Sequence, residues 1–256
     1  MNKTYPTNLS DRQWSAILVI LGDKRKRKHS LREIFDAVFY MVKTGCQWRM
    51  LPNDFPKWQL VYYYFNKWKW DGTIEEIHDR LRDLTRKKAG KKQSPSLGLI
   101  DSQSVKTTRS GGLCRGIDGG KNTKGRKRHI VVDTMGLILA VVVHAANIHD
   151  SKGAPFVLSE LKFRFSRLVK IIADGGYRGE LIEKTKKVYG WTLEVILRKD
   201  DSTKFQVIPK RWVVERTFAW FESHRRLSKD FEYYTETSQA MILVAMTKLM
   251  LNRIKK

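Results

Sequence analysis

Apolar residues recur every three or four positions through the first third of the chain, a spacing that predicts amphipathic helices. Helices are expected at residues 9 to 21, Leu31 to Thr44, Lys57 to Trp70 and about Thr73 to Arg86. Ser10 is the predicted N-cap of the first helix, and Ser30 with Glu33 forms a predicted capping box for the second. The first third of the chain is therefore expected to be a helical unit.

From Ser96 onward the pattern changes to short apolar runs bounded by glycine, proline or acidic residues, which is typical of buried strands. Strands are expected at Leu97 to Ile100, His129 to Thr134, Ile138 to His144, Leu168 to Ala173 and Trp191 to Arg198. Pro209 is expected to start a helix that carries Glu215. This order of elements indicates a mixed α/β domain.

Two of the predicted strands end in an aspartate, Asp101 after the first and Asp174 after the fourth. A carboxylate at the end of a buried strand costs free energy unless a cation or a donor meets it. Two strand-end aspartates and the helical Glu215 are hard oxygen ligands, which suit Mg²⁺ or Mn²⁺. Asp150 is a fourth carboxylate that either assists or caps the following helix, and Asp133 is interpreted as a turn residue.

Several separated motifs carry a family resemblance: IDSQSVKT, DGGKNTKGRKRHIVVDTMG, ADGGYRG, VVERTFAWF and HRRLSKDFE. With the N-terminal stretch GCQWRMLPNDFPKWQLVYYYFNKW they resemble, in order, bacterial insertion-sequence transposases of the DDE type, in the insertion-sequence-four/five group. The resemblance covers roughly residues 8 to 235.

The resemblance implies a ribonuclease-H-like α/β core, a mixed five-stranded sheet with helices, preceded by a small helical DNA-binding domain. The implied boundaries are 1–86 for the helical domain, 87–95 for a basic linker and 96–256 for the catalytic domain with its C-terminal helix. It assigns catalysis and metal binding to Asp101, Asp174 and Glu215, with two Mg²⁺ or Mn²⁺ ions. The implied activity is metal-dependent phosphodiester cleavage and strand transfer during DNA transposition.

Charge supports a nucleic-acid partner independently of the motifs. The 256 residues include 50 Lys and Arg against 26 Asp and Glu, a net charge of +24, and such a surface attracts polyanions. An acidic lipid surface is the alternative, but it would require an amphipathic basic helix that the sequence lacks. The basic residues expected to contact double-stranded DNA are Lys57, Lys67, Lys69, Lys121, Lys124, Arg126, Lys127, Arg128, Arg178, Arg225, Arg226 and Lys229.

The predicted third helix leaves two interpretations open. Trp58, Tyr62, Phe65 and Trp68 recur near a period of four, so they are core residues of the unit or part of a DNA-reading face. His144 and His149 do not match a zinc motif. Cys46 and Cys114 are far apart, which fits a reducing compartment. With no apolar leader or bilayer-length run, the chain is expected to be cytoplasmic and nucleoid-associated. A separate expectation is that it acts as a homodimer or higher oligomer on DNA.

Two rival functions remain at this stage. A ribonuclease-H-like nuclease, such as a junction resolvase, would use the same metals without strand transfer. A transposase-derived DNA-binding regulator would have no catalysis, and the loss of one acid would favour it, yet all three acids are present.

Overall fold

The computed structural model describes residues 4–23, 25, 27–109, 111–197 and 212–254, and these ranges form two compact units. The first unit comprises Met1–Lys91, Phe221–Phe231 and Glu236–Lys256, and the second comprises Lys92–Trp220 and Glu232–Thr235. Arg198, the last residue of a predicted strand, and Pro209, the predicted helix start, lie outside the described residues.

The described residues contain the following helices and strands. The helices are α1 (Asp11–Leu21), α2 (Leu31–Thr44), α3 (Trp58–Trp70), α4 (Thr73–Lys88), α5 (Asp150–Ser159), α6 (Leu181–Tyr189), α7 (Trp212–Glu222) and α8 (Thr235–Ile254). The strands are β1 (Leu97–Lys106), β2 (Gly116–Asp118), β3 (Thr123–Val132), β4 (Ile138–Ala145), β5 (Lys170–Ala173) and β6 (Thr192–Val195). No helix within these ranges is long and apolar enough to cross a membrane.

Both predicted helix starts in the first unit are confirmed. Ser10 and Gln13 form a capping box at α1, and Ser30 and Glu33 form another at α2. The helix α2 ends where Gly45 adopts a left-handed conformation with φ of 74°, which only a residue without a Cβ adopts freely. These local signals are sufficient because a cap involves residues only three positions apart.

The C-terminal helix α8 belongs to the helical first unit, whereas the predicted boundary assigned it to the catalytic domain. Its amide Asn252 accepts a hydrogen bond from Gln13 Nε2 at 3.0 Å, and Lys88 Nζ donates to the carbonyl oxygen of Ile254 at 3.0 Å. Met241 and Met250 of α8 are fully buried. Because α8 is apolar around most of its circumference, it is a core helix of this unit.

A mixed sheet of six strands organises the second unit, one more than the five predicted. The strand order is β2-β3-β1-β5-β6, and β4 also pairs with β3. The pairings β1–β3, β2–β3 and β3–β4 are antiparallel, whereas β1–β5 and β5–β6 are parallel. The additional strand is the short β2, whose three residues pair with the start of β3. The predicted mixed α/β class is confirmed.

The strand β1 is longer than the sequence predicted, and this changes the position of Asp101. The predicted strand ended at Ile100, but β1 continues to Lys106 and pairs with β3 through Lys106 and Gly125. Asp101 therefore lies inside β1, opposite Ile130, and not at its end. The reason is that the polar residues after Ile100 continue the ladder with β3, whose hydrogen bonds do not depend on side-chain polarity.

One face of the sheet packs against α5 and α6. The buried cluster there includes Ile100, Val131, Ala154, Leu158 and Ile171. Packing in this layer is close, because a Cβ placed on Gly98 would lie 2.9 Å from Val131 Cγ1. The sheet is consequently a rigid support for the polar residues in the middle of β1 and at the end of β5.

Candidate active site

The parallel register of β1 and β5 brings Asp101 and Asp174 level with each other. The pairing ends at Leu99 and Ile172, and each aspartate follows two residues later, Asp101 within β1 and Asp174 just after the end of β5. Adjacent strands are about 4.8 Å apart, so the two carboxylates lie at neighbouring positions. Both residues are half-buried. The sheet therefore brings together two of the three predicted acids.

Asp150 lies beside the same pair. A Cβ placed on Gly176 would lie 3.1 Å from Asp174 Oδ1 and 3.7 Å from Asp150 Oδ2. Burial, with the charges of Asp101, Asp150 and Asp174, raises the pKa of Tyr177 well above its usual value. Asp174 also accepts a hydrogen bond from the backbone N–H of Gly176 at 2.9 Å. Three aspartates thus surround the buried Tyr177 at one edge of the sheet.

Asp150 is already paired by residues of this chain. Its Oδ1 accepts hydrogen bonds from Ser102 Oγ at 2.7 Å and from Lys127 Nζ at 2.8 Å. Burial alone would raise the pKa of Asp150, but the hydrogen bonds from Lys127 and Ser102 outweigh it and lower that pKa. The ammonium of Lys127 also lies 3.5 Å from Asp118 Oδ2. Lys127 is therefore the internal counter-ion of Asp150.

A chain of buried hydrogen bonds runs behind the aspartates. Tyr177 Oη lies 2.8 Å from His129 Nε2, His129 Nδ1 lies 3.3 Å from His144 Nε2, and His144 Nδ1 lies 3.0 Å from the carbonyl oxygen of Ala145. The carbonyl oxygen of Ala145 can only accept, so a neutral His144 donates to it from Nδ1. His129 Nδ1 then donates to His144 Nε2, and the Tyr177 hydroxyl donates to His129 Nε2. Gly153 leaves room for this hydrogen-bonded chain, since a Cβ there would lie 2.7 Å from His144 Nε2.

The burial of His129 among these hydrogen bonds predicts that the stability of the fold depends on pH. Burial, with the charge of His144, lowers the pKa of His129 from 6.5 to about 3. The unfolded chain takes up a proton below pH 6.5 and the folded chain does not. The free energy of unfolding is therefore complete above that pH and falls by about 1.4 kcal/mol per pH unit below it, for this one group.

We expect His129→Gln to weaken this dependence, because the amide can still hydrogen-bond Tyr177 and His144 but does not titrate. Urea unfolding of both proteins between pH 7 and pH 5 gives the measurement. Equal slopes in the two proteins would show that His129 is not the titrating group.

Glu215 lies on α7, in a different environment from the aspartates. Glu215 is exposed, whereas its neighbours Val213 and Val214 are buried. The helix is held on the β3–β4 turn, where Thr217 Oγ1 donates to the carbonyl oxygen of Gly136 at 2.9 Å. Across the described ranges, no group of three or more His, Cys, Asp or Glu side chains is arranged to hold a metal ion. The convergence of Glu215 with the two aspartates therefore stays a prediction.

The aspartate pair by itself fits a hard divalent cation in donor type. Mg²⁺ is commonly bound by one or two carboxylates, with substrate phosphates and water as its other ligands. Asp101 and Asp174 supply such a pair, and Asp150, bound to Lys127 and Ser102, is less available for metal binding. The fit therefore rests on two residues.

The predicted DNA-contacting residues divide by burial. Lys57, Lys67, Lys121, Lys124, Arg178, Arg225 and Lys229 are exposed and Lys69 is half-buried, whereas Arg126, Lys127, Arg128 and Arg226 are buried. Lys121 also donates from Nζ to the carbonyl oxygen of Ser102 at 3.2 Å, beside Asp101. The exposed set stays a prediction of DNA contact.

The four buried cations have hydrogen-bond partners within the fold, and their contact with DNA stays a prediction. Arg126 donates to the carbonyl oxygens of Leu113, Glu232 and Tyr233 at 2.6 to 2.9 Å. Arg128 donates to Gln103 Oε1 at 3.4 Å. Arg226 donates to the carbonyl oxygen of Cys46 at 3.4 Å and lies on its own 3₁₀ turn, after α7 has ended. These side chains therefore donate to acceptors within the fold.

The structure also shows the surroundings of Asp133 and of the aromatic residues on α3. Asp133 is a turn residue as predicted, since its Oδ1 accepts from the backbone N–H groups of Met135 and Leu137. Phe65 and Trp68 are core residues, while Tyr62 is 41% exposed. Sequence reasoning missed Ser102 and the histidine chain. The one available signal was that His129 and Tyr177 both fall in the quoted motifs.

Comparison with known proteins agrees with this architecture. Residues 92–250 match the family described as "Transposase DDE domain", and residues 9–78 match "Putative transposase of IS4/5 family". A curated relative from Burkholderia cepacia, "Putative transposase for insertion sequence element IS402", is 29% identical over 140 residues. That alignment covers 52% of this chain and 65% of the relative, so the chain spans slightly less than two thirds of it. No solved structure matches the chain.

The matched DDE domain covers more than half of the chain and contains the whole acidic edge of the sheet. The chain therefore belongs to the DDE transposases. Within them it belongs to the IS4/5 group, because its helical first unit matches that group as well.

Proposed function

We propose that this chain is a DNA transposase that binds insertion-sequence ends and catalyses metal-dependent phosphodiester cleavage and strand transfer. The observation that carries the proposal is the alignment of Asp101 with Asp174 at the end of the parallel β1–β5 pairing. A carboxylate pair on a rigid sheet is suited to phosphoryl transfer, in which the protein mainly positions groups and neutralises charge.

The proposal assigns roles to residues at this edge. Asp101 and Asp174 bind Mg²⁺ or Mn²⁺, which would supply Lewis-acid stabilisation of the phosphate and activation of the attacking oxygen. Asp150 and Lys127 hold Ser102, the neighbour of Asp101 in β1, in place. The exposed Lys121 donates to the carbonyl oxygen of Ser102, the residue after Asp101, and the exposed Arg178 follows Asp174 closely in the sequence. Both cations orient the DNA phosphate.

Glu215 is proposed as the third acid on the strength of the family motif alone. Glu215 lies in the first turn of α7, and this residue is exposed, so DNA can approach it. Two ions, rather than one, would require Glu215 to join the aspartate pair. The ribonuclease-H-like core also remains part of this proposal: the antiparallel strands β1, β3 and β4 before α5, with the short β2 between β1 and β3, and the parallel strands after α5 support such a topology.

The partners proposed are double-stranded DNA, comprising element ends and target, and further copies of the chain on that DNA. The net charge of +24 supports DNA binding. We place the protein in the bacterial cytoplasm, associated with the nucleoid.

The test uses the purified chain with a plasmid that carries the element's ends. We expect Mg²⁺-dependent breaks at the ends and joined products, both of which disappear when the metal is chelated. Binding should weaken as salt rises, with a log–log slope of about −0.9 per phosphate neutralised. A plasmid without the ends is the control. Breaks without joined products would favour a nuclease, and specific binding without breaks would favour a regulator.

A further inference from the structure

A basic pocket lies in the first unit, separate from the aspartates. It is a concave space of about 490 Å³ between the segment that follows α1 and the middle of α3. Arg25, Lys28 and His29 line one side, and Tyr63, Tyr64 and Lys67 line the other. None of the described residues that line it is acidic. Its volume is in the range of small-molecule sites.

The cations of this pocket differ in what they already bind. Arg27, also in the wall, pairs with Asp23 and with the Tyr64 hydroxyl, so its charge is used within the fold. Lys28 and Lys67 form no ion pair with a carboxylate in the described part of the chain. An ammonium without a counter-ion in a concave basic site attracts an anionic group such as phosphate. The pocket therefore favours a ligand that carries a negative charge.

The aromatic wall adds a second requirement. Tyr64 packs on the buried Trp68 with ring centroids 5.4 Å apart, and Trp68 stacks on Phe35 at 4.2 Å, so Tyr64 is anchored in the core. Tyr63 lies edge-on to Tyr64 at 5.4 Å and is 59% exposed. Tyr63 thus offers an exposed ring beside cations and rests against the anchored Tyr64, and a nucleobase can stack on such a ring.

The shape of the site selects among nucleic-acid ligands. A base pair within a duplex is stacked on both faces and cannot enter a concave site, whereas an unpaired nucleotide can turn out of the strand. We propose that this pocket binds one unpaired nucleotide, with its base on Tyr63 and its phosphate between Lys28 and Lys67. The inference rests on the proposed function, since a chain that breaks DNA ends meets unpaired nucleotides there.

The test compares two short single strands on the full chain without metal. One is a labelled oligothymidylate and the other is an abasic strand of equal length, which has the same phosphates but no bases. We expect fluorescence anisotropy to show about tenfold tighter binding of the oligothymidylate, in the range of one base stacked on an aromatic ring. Tyr63→Ala should remove this difference, and Tyr63→Phe should keep it.

The charged side of the pocket has a matched control. Lys67→Gln should weaken binding of both strands, because the phosphates are common to them. Lys87→Gln, on an exposed lysine of α4 outside the pocket, should weaken them less. Equal weakening by the two substitutions would overturn the assignment of the phosphate to this pocket.

Two further results decide the ligand's source and the proposal itself. Thymidine monophosphate at comparable concentration is added as a competitor of the oligothymidylate. Displacement that is lost in Tyr63→Ala would assign the pocket to a free nucleotide. If there is no displacement, the pocket is assigned to a nucleotide within a strand. Equal affinity of the wild type for thymidylate and abasic strands would overturn the proposal. Failure of end cleavage with the base preference intact would count only against the proposed transposase activity.

Discussion

Replacing Asp174 with asparagine is expected to abolish Mg²⁺-dependent cleavage of DNA ends, with a loss of about 10³-fold or more. The amide keeps the size of the side chain and can still accept the hydrogen bond from Gly176, but it loses the charge that binds a cation. Asp101→Asn should have the same effect, because the β1–β5 register places it level with Asp174. End cleavage at equal DNA occupancy is the measurement.

The matched control is Glu160→Gln, which removes an exposed carboxylate at the end of α5 in the same unit. It should cleave normally. Asp150→Asn should show a weaker defect than either aspartate of the pair, because Asp150 is bound to Lys127 and Ser102. Near-normal cleavage by Asp101→Asn would remove that residue from the site.

Replacing Arg126 with methionine is expected to destabilise the fold by about 3 kcal/mol while leaving DNA affinity nearly unchanged. Arg126 is fully buried, and its guanidinium donates to the carbonyl oxygens of Leu113, Glu232 and Tyr233. Methionine fills much of the space but cannot donate to these three acceptors, of which the Tyr233 oxygen keeps its hydrogen bond from the backbone N–H of Leu113. Urea unfolding gives the stability change, and titration with duplex DNA gives the affinity.

Lys124→Met is the control for this substitution, since Lys124 is exposed two residues earlier in the same strand. It should change the free energy of unfolding by no more than about 0.5 kcal/mol. The opposite pattern, with stability kept and DNA affinity lost in Arg126→Met, would support the DNA contact that the sequence predicted.

Features set by neighbouring residues could be predicted from the sequence. The capping boxes at Ser10 and Ser30 involve residues three positions apart, so their composition is sufficient evidence. The end of β5 before Asp174 was also predicted, because an apolar run followed by an acid and two glycines marks a buried strand and its turn.

Features that depend on distant partners could not be predicted. The basic run around Arg126 has the composition of an exposed, DNA-contacting loop, yet two of the three carbonyl oxygens that bind this side chain come from residues more than a hundred positions away. Similarly, the apolar character of α8 identifies a core helix, but its place in the first unit depends on contacts with Gln13 and Lys88. Sequence patterns do not encode such long-range pairings.

The candidate site shows both situations. Asp101 and Asp174 were predicted together because each follows an apolar run, and the parallel register aligns them. The third acid, Glu215, lies on a helix whose position depends on packing against the β3–β4 turn at Gly136. Strand periodicity carries no information about that packing. For the same reason, the pairing of Lys127 with Asp150 was not anticipated.

The central claim, that the aspartate pair binds the catalytic metal, is tested most directly by exchanging the ligand atom. Cysteine offers a soft thiolate, which Mg²⁺ disfavours and Mn²⁺ accepts more readily. We predict that Asp174→Cys fails to cleave DNA ends with Mg²⁺ and regains cleavage with Mn²⁺, while Asp174→Ser, similar in size but without the thiolate, stays inactive with both ions. Cleavage by Asp174→Cys that is equally good, or equally absent, with Mg²⁺ and Mn²⁺ would contradict metal binding at this residue.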